Sequence, residues 1–146
     1  KKGYTLFKRA VDLNPVAGDP HFFLGLIALA RNNPKLGLAE IDLAEKLGRK
    51  PKNIKEAISL ANLMGDAGDY KRAISIYEEA LKNFKQDPNY KIWSMDLKLK
   101  IAVAYYYSGQ REEARQAFIN LAKDVDLKVS PVYPQIREMM ENLGIK

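Results

Sequence analysis

His21 is the chain's one imidazole, and there is no cysteine. A Ser–His–Asp or Cys–His set needs an imidazole between a nucleophile and an orienting acid. No such set can be assembled around His21, which reads as a structural or surface residue. Zinc and iron sites draw on several His and Cys ligands. Without them a metal would need carboxylates alone, and none cluster with ligand spacing. Glu78-Glu79 and Glu112-Glu113 are adjacent pairs at exposed helix positions and read as solvated. The glycines stand singly at helix ends or close-packing positions, so no phosphate-cradling loop is present. The residues predict no enzyme, no metal site and no cofactor.

The densest charge run is basic: Lys46, Arg49, Lys50, Lys52 and Lys55 span the end of one helix and the start of the next. Basic residues in a last helical turn complement the helix dipole, which is the favoured reading. A phosphate-binding patch is the weaker one, and no aromatics interleave to support nucleic acid. The formal net charge is +6 over 146 residues, with 47% apolar and 29% charged side chains, as in ordinary globular proteins. The absence of cysteine suits an oxidising or a reducing compartment. No stretch approaches the roughly 20 apolar residues of a membrane span. Lys1-Lys2 leads into Gly3-Tyr4 rather than an apolar run, so no signal-peptide pattern is present.

One residue spacing recurs four times along the chain. A small residue is followed four positions later by a large apolar one: Gly3 and Phe7, Gly37 and Ile41, Ala73 and Tyr77, Ala114 and Phe118. Three residues further on come Ala10, Ala44, Ala80 and Leu121. The steps between the large residues are 34, 36 and 41. Such a period marks a helical solenoid, whose units bury their apolar faces by stacking on neighbours. Upstream, Leu24-Gly25 with Ala28, Leu60-Ala61 with Met64, and Ile101-Ala102 with Tyr105 repeat in phase.

These residues resemble the tetratricopeptide repeat, whose pattern is W-x2-L-G-x2-Y, then A-x3-F, then A and P. The likeness covers roughly residues 3 to 125. His21, Ala57 and Lys98 stand in the Trp slot, and Pro15, Pro51 and Pro88 stand at or shortly after the Pro slot. The fold expected is all-α: a right-handed α-solenoid of antiparallel helix pairs, with about seven to eight helices in one domain. Residues 3–15 read as the second helix of a truncated repeat, so the chain is expected to be a piece of a longer protein. Repeats are expected at 18–51, 54–88 and 89–125, and a C-terminal capping helix at 130–144.

Local signals set the helix ends. Asp19-Pro20 predicts a cap followed by a first-turn proline. Gly48 predicts a left-handed helix stop. Asn53 with Glu56 has the positions of a capping box. Asp87-Pro88 predicts either a long helix from Pro88 to Tyr107 or a bend recapped by Ser94. Ile136, Met139, Met140 and Leu143 give the last helix one apolar face.

What remains is a binding surface. The resemblance implies that the first helix of each pair lines a groove for a peptide or partner helix. Its register gives Asp19, Phe22, Phe23, Leu26 and Leu29, then Lys55, Ile58, Ser59, Asn62 and Asp66, then Asp96, Leu99, Lys100, Val103, Tyr106 and Tyr107. Of these the candidate binding residues are Phe22, Phe23, Leu26, Lys55, Ser59, Asn62, Lys100, Val103, Tyr106 and Tyr107. In some members a carboxylate clamp uses Lys and Asn on the first helix, then Asn, then Lys and Arg. Those slots here hold Phe22, Leu26, Ser59, Asp96 and Lys100, and only the last is basic. The groove instead reads as apolar and aromatic at both ends with a polar middle. Core packing is the competing reading for its aromatics. Asn62 is expected to meet a ligand backbone, and Lys55 and Lys100 to favour an acidic partner. The expected function is a non-catalytic protein–protein interaction module. The alternatives are an accessory domain of a larger enzyme, including a membrane-bound one, and, more weakly, nucleic-acid binding. Leu6, Phe7 and Val11 form an apolar strip on an end helix, so the chain is expected either to fray over its first dozen residues or to self-associate through that strip.

Overall fold

The computed structural model describes residues 2–14, 17–124, 127–129, 131 and 133–145. Pro15, Val125 and Ser130, which bound expected segments, lie outside the described residues. Among the described residues the chain is all-helical. In order come α1 (Lys2–Leu13), α2 (Gly18–Ala30), α3 (Pro34–Lys46), α4 (Ile54–Asp66), α5 (Tyr70–Asn83), α6 (Tyr90–Tyr107), α7 (Arg111–Asp124), a 3-10 turn at Leu127–Val129 and α8 (Tyr133–Asn142). The chain divides into two compact units, residues 1–68 and 69–146.

Similar chemistry ends most of these helices. Asn32, Gly48, Gly68, Gly109 and Gly144 all take positive φ. After α3, Gly48 N–H donates to Glu45 O at 3.0 Å and Arg49 N–H to Ala44 O at 2.8 Å, the paired bonds of a Schellman stop. The same pair follows α2 at Asn32 and Asn33, α6 at Gly109 and Gln110, and α8 at Gly144 and Ile145. Each stop satisfies carbonyls that a helix end would otherwise strand.

In unit 1, α2 and α3 form a hairpin across the short turn at 31–33, and α1 and α4 both pack on α2. Close approach explains the glycines: a Cβ on Gly25 would lie 2.6 Å from Ile41 Cδ1. Phe22, Leu24, Ala28, Ile41, Ala44, Leu60, Ala61 and Met64 are buried. In unit 2, α5 and α7 pack on α6. Ala102, Ala114, Phe118 and Leu121 join Ile136, Met139 and Leu143 of α8 in one cluster, so the apolar face expected on the last helix is its buried face. Tyr77 and Phe118 are 5% and 0% exposed, and Ala73, Ala80 and Ala114 are buried with them.

Three local expectations need correction. Asp19 is not the cap of α2: the helix starts at Gly18 and its N-cap is Ala17, with no side-chain bond. Arg49 holds the Asp19 carboxylate instead, donating from Nε at 2.5 Å. The Asn53–Glu56 box is half formed. Asn53 accepts the Glu56 N–H at 2.9 Å, whereas the Glu56 carboxylate accepts from Lys52 N–H and from Arg49. Finally, α6 begins at Tyr90, not Pro88. Asp87 accepts the Asn89 N–H at 2.8 Å and so closes a turn ahead of the helix. Of the two alternatives for this segment, α6 runs unbroken. Ser94 does not recap it: its hydroxyl donates to Lys91 O at 2.9 Å within the helix.

Candidate functional site

The structure gives each groove residue a definite environment. In unit 1, Phe22 is 1% exposed. Its ring meets Phe23 edge-on at 5.4 Å, and the Arg49 guanidinium carbon lies 4.2 Å from its centroid. This residue is therefore packing and leaves the candidate set. Phe23 is half-buried and stacks on Phe7 at 5.0 Å. Leu26 is half-buried one turn further along α2. On α4, Lys55, Ser59 and Asn62 follow at i, i+4 and i+7, which puts them on one stripe. Lys55 and Ser59 are exposed, and Asn62 is half-buried and already takes part in an interaction within the fold. Because α4 packs on α2, this polar stripe and the half-exposed Phe23 and Leu26 belong to the same small unit.

Arg49 binds this unit together, and the basic run concealed it. Arg49 is 7% exposed, and its guanidinium sits over Phe22. It donates to Asp19, to Lys50 O, and through both terminal nitrogens to Glu56 at 2.9 and 3.2 Å. Burial alone would disfavour the charge, but the hydrogen bonds to Glu56 and Asp19 outweigh it and raise the guanidinium's pKa. The same bond from Arg49, helped by the Lys52 N–H, holds the Glu56 carboxyl below its ordinary value against the opposing effect of burial. One sequence signal could have found this residue. A Schellman stop turns the residue after its glycine toward the helix it has just left, a position that usually makes an inward contact. Arg49 follows Gly48, so it points inward while Lys50, Lys52 and Lys55 remain at the surface. Lys46 lies in the last turn of α3, where it complements the dipole.

In unit 2, Lys100, Val103 and Tyr106 are half-buried and Tyr107 is 57% exposed. Val103 and Tyr106 pack against the cluster that α8 completes. Tyr106 Oη accepts from Asn142 Nδ2 at 2.8 Å, and Arg111 donates to Asn142 O at 2.6 Å. Tyr107 stacks on Tyr70 at 6.2 Å, a partner that the repeat register did not select. Only Tyr107 among these aromatics offers most of its ring to solvent.

His21 is buried, with Nδ1 2.5 Å from Glu40 Oε2, as a structural histidine would be. Glu78, Glu79, Glu112 and Glu113 are exposed. Among the described residues no group of three His, Asp or Glu side chains could hold a metal ion. No described helix is long and apolar enough to cross a membrane.

Comparison with known proteins agrees with this helical-repeat architecture. Residues 96–125, the span of most of α6 and all of α7, match the family model of the tetratricopeptide repeat. No curated protein and no solved structure matched the chain. Repeats of this family mediate protein–protein interaction in general and are generally not catalytic.

Proposed function

We propose that this chain, with a tetratricopeptide repeat at residues 96–125, is a non-catalytic module that holds a peptide or partner helix against the first helices of its pairs. The observation that carries the reading is on α4. Lys55 and Ser59 stand exposed beside α2, on which Phe23 and Leu26 are only half-buried. An apolar side chain of a partner fits against Phe23 and Leu26, and acidic groups fit Lys55. In unit 2, Lys100 and Tyr107 supply the corresponding cation and aromatic surface. Asn62 lies on the α4 stripe and bounds the surface. Nucleic acid is disfavoured, because the most deeply placed cation of the basic run, Arg49, is engaged by Asp19 and Glu56.

Lys55→Glu combined with Lys100→Glu tests the reading. Capture of the partner from the source cell is expected to be lost while the circular dichroism melt stays unchanged. Equal capture by the double variant overturns it. Self-association is a separate part of the proposal. Leu6 and Leu13 are 65% and 86% exposed, whereas Phe7 and Val11 are half-buried. Light scattering is expected to show an oligomer that Leu6→Glu dissolves, and a monomeric parent chain overturns this part.

A further inference from the structure

The first turns of α6 have no role in the groove, yet they present an unusual surface. At 18 residues, α6 exceeds the 13 of α2 and of α4. The repeat match begins at residue 96, so Tyr90 to Met95 precede it. Along α6, Ile92, Met95, Leu99, Ala102 and Tyr106 follow the a and d positions of a heptad pattern, which places them on one seam. The seam is covered along only part of its length. Ala102 is buried in the cluster to which α8 contributes Ile136, Met139 and Leu143, and Leu99 and Tyr106 pack against it. Beyond it, Ile92 is 70% exposed and Met95 is 40% exposed. The positions that flank such a seam choose partners by charge. On one flank Lys91 and Lys98 fall seven residues apart and both are exposed; on the other, Asp96 is half-buried.

We infer that the open half of this seam, Ile92 and Met95 beside Lys91 and Lys98, docks an amphipathic helix of a partner protein whose flanking residues are acidic. The occupant follows from continuity and charge. The covered half already packs into a cluster built by helices α7 and α8, with Ala114, Phe118 and Leu121 beside Ile136, Met139 and Leu143, so the same seam continued by two further turns fits another helix. The exposed flank is basic, so the matching flank of that helix is acidic. The open half lies on the same stripe of α6 as the groove candidate Tyr106, about three turns before it, and its variants test it separately from the groove.

The probe is a labelled synthetic helix about three heptads long, with Leu at a and d and Glu at e and g. A twin carries Lys at e and g. Anisotropy titrations use the whole chain. Saturable binding of the Glu probe is expected, with the Lys probe about tenfold weaker or more. Ile92→Asp should weaken the Glu probe at least about tenfold. Lys91→Glu with Lys98→Glu should reverse the preference between the probes. All three residues are exposed, so the melts should match the parent. Equal affinity for both probes, or undiminished binding to Ile92→Asp, overturns the inference. So does loss of Glu-probe binding in Lys55→Glu but not in Ile92→Asp, which would place the probe in the groove. Binding to phosphatidylserine vesicles, or a dimer in light scattering, that vanishes in Ile92→Asp would assign the strip to a bilayer or to a second copy and also overturns it.

Discussion

Gly37 and Leu29 meet where α3 packs on α2: a Cβ on Gly37 would lie 2.5 Å from Leu29 Cγ and 3.0 Å from its backbone nitrogen. Neither atom is the free end of a side chain, so the helices cannot absorb a methyl group by a small rotation. Gly37→Ala should therefore destabilise by about 1–3 kcal/mol, even though alanine gains up to about 1 kcal/mol of helix propensity there. Gly3 occupies the same place in the repeat, but among the described residues the neighbour its Cβ would meet is Ile27 Cδ1, at an ordinary 3.8 Å. Gly3→Ala should stabilise by about 0.5–1 kcal/mol. Urea melts of the two variants should move their midpoints in opposite directions.

Arg49 links the start of α2 to α4 through Asp19 and Glu56 while covering Phe22. Arg49→Ala should cost about 2–5 kcal/mol, since it removes both the packing and the shared partner of two carboxylates. Arg49→Lys should recover only part of this, because an ammonium cannot donate to Asp19, Lys50 O and both Glu56 oxygens together. Equal melts for Lys and Arg at this position would show that the fork geometry contributes nothing.

Acid should act through Glu56. Its folded pKa lies below the ordinary 4.5, so the unfolded chain takes up the proton first. The bond to Arg49 thus contributes fully above the unfolded value and is lost as pH falls through the lower, folded value. Urea midpoints measured downward from about pH 6 should fall more steeply for the parent chain than for Glu56→Gln once below about 4.5. Parallel curves would remove Glu56 from the acid response.

The repeat's large residues should dominate the core. Tyr77→Ala and Phe118→Ala should each cost about 3–5 kcal/mol, and Ala80→Leu about 1–3 kcal/mol through overpacking. Denaturant melts read all three, and midpoints equal to the parent's would mean these positions are not close-packed.

The amino-acid sequence by itself determined the helical elements, the phase of the small–large spacing and the places where helices stop. The stop at Gly48 was legible because a left-handed stop depends on a few consecutive residues. So was the apolar face of α8, which follows from helical period alone. Local reading failed where a distant group competed for a side chain. Asp19 has the form of a cap, but Arg49, 30 residues away in sequence, takes its carboxylate. Glu56 has the form of a capping-box partner, but Arg49 and the Lys52 N–H share it. The tertiary structure alone decided which candidate binding residues keep an accessible surface. Phe22 lies beneath Arg49, and Val103 and Tyr106 lie against the cluster that α8 completes, whereas Lys55, Ser59 and Tyr107 remain open. Periodicity and capping are properties of neighbouring residues, so they can be read along the chain. Exposure and pairing depend on which remote segments arrive at the same place, and only packing sets that.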